Sequence, residues 1–138
     1  MLQDASLSAL LDNMITFSHK GNFEKTTGFL KKASESRLDR ELVRFAKKGV
    51  EALASATPKD TGKTAASWYY TITRNRSEIK IVWNNSNTTD QAPVAVLIQY
   101  GHATRNGGYV QGIDYINPAM KPIADEISEY IRKELSSN

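Results

Sequence analysis

The feature that most restricts how this chain can fold is an abrupt change of hydrophobic period around Pro58. Upstream, Leu38, Leu42, Phe45, Ala46, Gly49, Val50 and Leu53 recur at the spacing of one helical face and predict an amphipathic helix from Ser36 to Ser55. Pro58 disfavours helical geometry at Thr57, and Asp60-Thr61-Gly62 supplies turn chemistry directly after it, so the helix must stop there. Downstream the period is two. Trp68, Tyr70 and Ile72 alternate with Tyr69, Thr71 and Thr73, and then Ile79, Ile81 and Trp83 alternate with Lys80, Val82 and Asn84. Joined through Asn75-Arg76-Ser77-Glu78, the two runs predict an antiparallel hairpin with one aromatic face. That face needs a cover, and the apolar stripe of the helix supplies it, in a helix-on-sheet layer rather than a parallel α/β arrangement.

The flanking segments extend this α+β plan. Ile15 and Phe17 against Thr16 and Ser18 read as a short strand ending before Gly21, and Asn22 can cap a short helix through Phe29, Leu30 and Lys32. Asn84 to Asp90 is polar and reads as a loop, while the apolar run from Pro93 to Tyr100 fits a strand or a helix equally. Asn106-Gly107 suits a tight I′ turn and predicts a polar, projecting hairpin between Tyr100-Arg105 and Gly108-Ile113. Met120, Ile123, Ile127, Tyr130 or Ile131, and Leu135 give a C-terminal helix starting at Asn117-Pro118 or Lys121-Pro122. The expected architecture is one domain, residues 1–138: a small antiparallel sheet packed against a long central helix and a C-terminal helix, with a projecting hairpin.

Composition narrows the function classes. There is no cysteine, which removes disulfides, thiolate metal sites and a cysteine nucleophile. No stretch is long and apolar enough to span a bilayer, so no membrane association is expected. A formal charge of +3 bears on solubility and general anion affinity, not on a particular partner. The order Asp60-Thr61-Gly62-Lys63-Thr64 contains the end of a phosphate-binding loop, but the required first glycine falls at Thr57 and a helix, not a strand, precedes it. Asp60-Thr61-Gly62 also spells the aspartic-protease triplet, yet Lys59 and Lys63 flank it, where an ionised turn or cap aspartate is expected. Pro58, Asp60, Thr61 and Gly62 are therefore read as a structural turn. His19 and His102 belong to no spaced carboxylate cluster, and no catalytic residue, cofactor or metal site is expected. Arg37, Arg40, Arg44, Lys47 and Lys48 fall within about 100° of one another on the helix and form a basic stripe: a solvated face first, a contact for DNA or an acidic partner second.

Three ordered segments resemble the tail-component family of tailed bacteriophages, which includes tail-completion and neck proteins and is related to the minor tail protein Z of lambdoid phages. The first is a helix ending in Ala56-Thr57-Pro58-Lys59-Asp60-Thr61-Gly62-Lys63, followed by Ser67 and a strand. It is similar to the family pattern Ala-x-x-Pro-x-Asp-Thr-Gly-Arg/Lys, with one residue fewer between alanine and proline. The second is Val94 through Tyr100-Gly101, with Gln99 where the family commonly has glutamate and His102 where it has threonine. The third is Asn117-Pro118-Ala119-Met120, opening the last helix. The resemblance implies a non-enzymatic virion protein of a phage, prophage or tail-like particle, made in the host bacterial cytoplasm. It would act in tail completion or at the head-to-tail joint as a homo-oligomeric ring, such as a hexamer, beside other tail or neck proteins and near genomic DNA. Within that reading Tyr100, His102, Arg105, Asn106, Tyr109 and Gln111 of the projecting hairpin are candidate subunit contacts, joined by the Asn84–Asp90 loop. The alternative is a small basic nucleic-acid-binding domain using the stripe with Trp68, Tyr69 and Tyr70.

Overall fold

A computed structural model describes residues 2–10, 14–21, 35–59, 62–75, 78–89 and 92–136. The order is β1 (Leu2–Leu10), β2 (Met14–Gly21), α1 (Glu35–Ala56), a short 3-10 turn (Ala65–Ser67), β3 (Trp68–Arg74), β4 (Glu78–Asn85), α2 (Val94–Tyr100), β5 (Gly101–Ala103), β6 (Tyr109–Gln111) and α3 (Ile116–Ser136). The α+β architecture is the expected one: an antiparallel sheet under a long central helix and a C-terminal helix, with a separate two-stranded hairpin. The helix placed at Asn22 to Lys32 and the turn residues Asp60 and Thr61 lie outside the described residues.

The sheet is larger than a single hairpin. Its order is β1-β2-β4-β3, antiparallel throughout, so β4 is an interior strand and β3 an edge. The expected first strand is one arm of an N-terminal hairpin in which β1 pairs β2, with Leu7 opposite Phe17 and Ala9 opposite Ile15. The register places Phe17 across from Ile81, and Ile15 across from Trp83, so the apolar rows continue through all four strands. Interior placement also explains why Val82, on the polar side of the expected alternation, is 8% exposed: strands flank β4 on both sides. Beyond β4, Asn87 and Thr89 fold back on the chain, and Thr88 bridges Pro93.

The core forms where the inner face of the sheet meets α1 and α3. Leu38, Leu42, Phe45, Ala46 and Leu53 pack with Trp68, Ile81 and Trp83 and with Met120, Ile123 and Ile127, while Tyr70, Ile72, Ile79 and Val50 are partly buried at its margin. Gly49 sits mid-helix, where glycine costs about 1 kcal/mol relative to alanine. Its reason is the Trp83 ring: a Cβ on Gly49 would lie 2.5 Å from Nε1. The indole thus lies flush on the helix, and its N–H donates to the Ala46 carbonyl at 2.9 Å, so the largest buried ring leaves no polar atom unpaired.

Two open alternatives are resolved and one local expectation is corrected. The apolar run after Pro93 is a helix; with seven apolar or uncharged residues, its period could not separate helix from strand. The β5–β6 turn is not a two-residue I′ turn. The Thr104 N–H donates to the Gly108 carbonyl at 2.9 Å and the Gly107 N–H to the Thr104 carbonyl at 3.2 Å, which closes a three-residue loop, with Gly107 at φ +80°. Finally, α3 begins before Asn117-Pro118, not at Lys121-Pro122, and Pro122 lies inside it. Both Pro118 and Pro122 are exposed, so water can reach the carbonyl that Pro122 cannot serve.

Candidate assembly surface

The junction between α2 and α3 builds the platform on which the hairpin stands. The N-terminal turn of a helix has N–H groups with no partner inside the helix, and one belongs to Ile116. Gln99 reaches it from α2. Its side-chain Oε1 accepts the N–H groups of Tyr115 at 3.0 Å and Ile116 at 2.9 Å, and its Nε2 donates to Asp114 at 2.7 Å. Asp114 also accepts from the Asn117 side chain at 3.0 Å. Gln99 is 7% exposed, so it is a buried cap supplied from another element. Tyr115 adds a second tie from its hydroxyl to the Ala95 carbonyl at 2.7 Å, and burial pushes its phenol above the ordinary tyrosine range.

Between Gln99 and Tyr115 the chain makes its excursion through β5 and β6. It leaves through Gly101 at φ +81° and returns through Gly112, two glycines whose backbones touch. A Cβ on Gly101 would meet Gly112 N at 2.8 Å, and one on Gly112 would meet the Gln99 carbonyl at 2.6 Å. The Ile113 N–H donates to the Ile98 carbonyl at 2.9 Å and closes the base. The hairpin above it is solvated on both sides. Tyr109 is 63% exposed, Ile113 54%, Val110 46% and Tyr100 41%. Among the expected contact residues, Arg105, Asn106 and Gln111 are also exposed, whereas His102 is half-buried, its Nδ1 shielded and without a hydrogen-bond partner among the described residues. Tyr109 is held in place, because its hydroxyl donates to the Tyr100 carbonyl at 2.9 Å. Val110 and Ile113 were not among the expected contacts; in a short glycine-rich segment their exposure had no periodic signature.

The Asn84–Asp90 loop is shorter than expected, because Asn84 and Asn85 end β4, and its described part is tied to the body of the chain. Asn85 is 1% exposed and donates to the Thr64 carbonyl at 2.8 Å, and Asn87 donates to the Thr64 hydroxyl at 2.9 Å. These asparagines hold the segment that follows Gly62, which has φ +84°. Pro58 is exposed there. Thr57 completes the joint: its hydroxyl donates to the Leu53 carbonyl at 2.6 Å and accepts the Trp68 indole N–H at 2.8 Å, locking the end of α1 to the start of β3.

The basic stripe divides. Arg37 pairs with Glu134 and Lys48 with Glu126 at 2.7 Å, both on α3, and Arg44 pairs with Glu41 at 2.7 Å. The Glu134 carboxylate holds the Arg37 guanidinium above its ordinary pKa, and burial, followed by the same carboxylate, raises that of Tyr130. Two of the five stripe residues, Arg37 and Lys48, therefore fasten α1 to α3, and Arg44 is paired within α1. Arg40 and Lys47 stand exposed, with no ion pair among the described residues. Among the described residues no group of histidine and carboxylate side chains is placed to hold a metal, and no helix is long and apolar enough to cross a membrane.

No protein-family model, curated protein or solved structure matches this chain.

Proposed function

We propose that this chain is a structural subunit of a phage tail or tail-like particle, acting in tail completion or head-to-tail joining as part of an oligomeric ring. The observation that carries the reading is the projecting hairpin. An ordered excursion with Tyr109, Val110 and Ile113 exposed, set on a buried polar clamp, presents apolar side chains to solvent at no benefit to the fold that carries it. Such a surface suits a partner, and an assembly protein needs one. The sequence resemblance supplies the kind of assembly, and its three segments fall at structural joints: the end of α1, the α2 cap and the first turn of α3. Gln99 also gives a physical sense to the family's glutamate at that place, because either side chain offers an acceptor to the first N–H groups of α3. The nucleic-acid alternative gains less, since Arg37, Arg44 and Lys48 are engaged inside the chain.

The test replaces His102 to Gly112 with a short glycine-serine turn and asks the variant to complement particles lacking the parent chain. The variant should melt within about 4 °C of the parent, the shift of roughly 1 kcal/mol in a domain of this size, and fail to assemble. Normal particle assembly would overturn the reading.

A further inference from the structure

Building on the ring-subunit reading, we propose that the outer edge of β3, with the trough beside it, receives the β5–β6 hairpin of a second copy of this chain. Natural edge strands are blunted by proline, bulges, short length or inward-facing charge. β3 has none of these: it runs for seven residues, contains no proline, pairs with β4 in unbroken register and carries its one charge at its last residue, Arg74. One side of it pairs with β4; on the other, no strand lies beside it among the described residues. Alongside lies a trough of about 380 Å³ walled by Val50, Trp68, Tyr69 and Tyr70, with Lys47 and Glu51 at its rim. Tyr69 is 46% exposed there.

An occupant must be extended, bring free main-chain groups to the edge and offer a large apolar side chain, while the mixed rim of Lys47 and Glu51 selects for neither sign of charge. Among the described residues the other sheet edge, β1, has no aromatic residue. The two strands of the segment from Tyr100 to Gly112 pair only with each other among the described residues. The segment brings Tyr109 and Val110. Because the Tyr109 hydroxyl is already fixed on the Tyr100 carbonyl, little ordering remains to be done on docking. Strand addition supplies the main-chain hydrogen bonds, and the side chains cover the trough. Donor and acceptor are different surfaces, so the contact is head-to-tail and repeats until the rotation closes.

The absence of cysteine makes the contact directly testable. Thr71 and Thr73 on β3, and Tyr109, Val110 and Gln111 on β6, are exposed. Thr71→Cys or Thr73→Cys is mixed with each of the three β6 cysteine variants and oxidised. At least one pairing should give a disulfide-linked dimer, and a chain carrying both cysteines should give a ladder ending at one size. Cross-linking in none of the six mixtures, β3 variants that link only to themselves, or a parent chain still monomeric at roughly millimolar concentration by sedimentation would each overturn the proposal. Its failure is separable from that of the virion reading. Loss of particle assembly on hairpin removal with no β3 cross-link defeats the docking site alone, and cross-links with unimpaired particles defeat the virion role alone.

Discussion

Trp83 and Tyr109 stand at opposite ends of this molecule in more than position. Trp83 is fully buried, its ring pressed on a helix cleared for it by Gly49 and its N–H spent on a backbone carbonyl. Tyr109 is 63% exposed, and its hydroxyl too is spent on a backbone carbonyl, but the ring faces solvent. Both aromatics are immobilised, yet only one is immobilised by the hydrophobic core. The layer of α1, α3 and the sheet is therefore organised for its own stability, whereas the hairpin is organised by polar bonds at its base while its apolar surface stays uncovered. The two regions should respond differently to substitution.

The largest expected effect breaks the layer. Trp83→Ala removes the biggest side chain of the core and should cost about 3–5 kcal/mol in denaturant unfolding, enough to unfold many domains of this size. A variant that melts like the parent would show that the sheet face is wrongly assigned. The intermediate effect tests the clamp between the regions. Gln99→Ala leaves two buried N–H groups without their acceptor and should cost about 1–3 kcal/mol. Gln99→Glu keeps the acceptor but sets a carboxylate against Asp114, so Asp114→Asn should recover stability in the Glu variant and not in the Ala variant. An equal response in the two backgrounds would refute the cap. The smallest effect concerns the exposed pair between α1 and α3: Glu126→Lys should change stability by less than about 1 kcal/mol, and roughly molar salt should erase the difference. A salt-independent loss would mean that Lys48 and Glu126 do more than their exposure suggests.

The parts of this fold legible in the sequence are those where many residues repeat one message. The helix read from Ser36 to Ser55 is α1 to within a residue at each end, because seven apolar positions share a face and Pro58 ends it. The alternation from Trp68 to Trp83 likewise fixed β3 and β4. What stayed hidden depended on single residues or on long-range pairing. Leu7 and Ala9 carry too little apolar alternation to announce β1, so the interior position of β4, and with it the edge position of β3, emerges only from the register. Three residues rather than two in the hairpin loop follow from Thr104 pairing with Gly108, which no dipeptide encodes. Gln99 shows the limit most sharply. A polar residue at the end of an apolar run looks like the start of the surface, and only the arrival of Tyr115 and Ile116 from later in the chain makes it a buried cap.

That cap has a mechanical meaning. The chain enters the hairpin two residues after Gln99 and leaves it three residues before Tyr115, so the hairpin is a closed detour whose two ends are riveted together at the Gln99 carbonyl-amide clasp and the Ile98–Ile113 bond. A tug on the tip is carried first by these short polar links and by the head of α3. The apolar layer lies behind them and is spared until they part. The detour can thus change in length, composition or partner while the load path into the body of the protein stays the same.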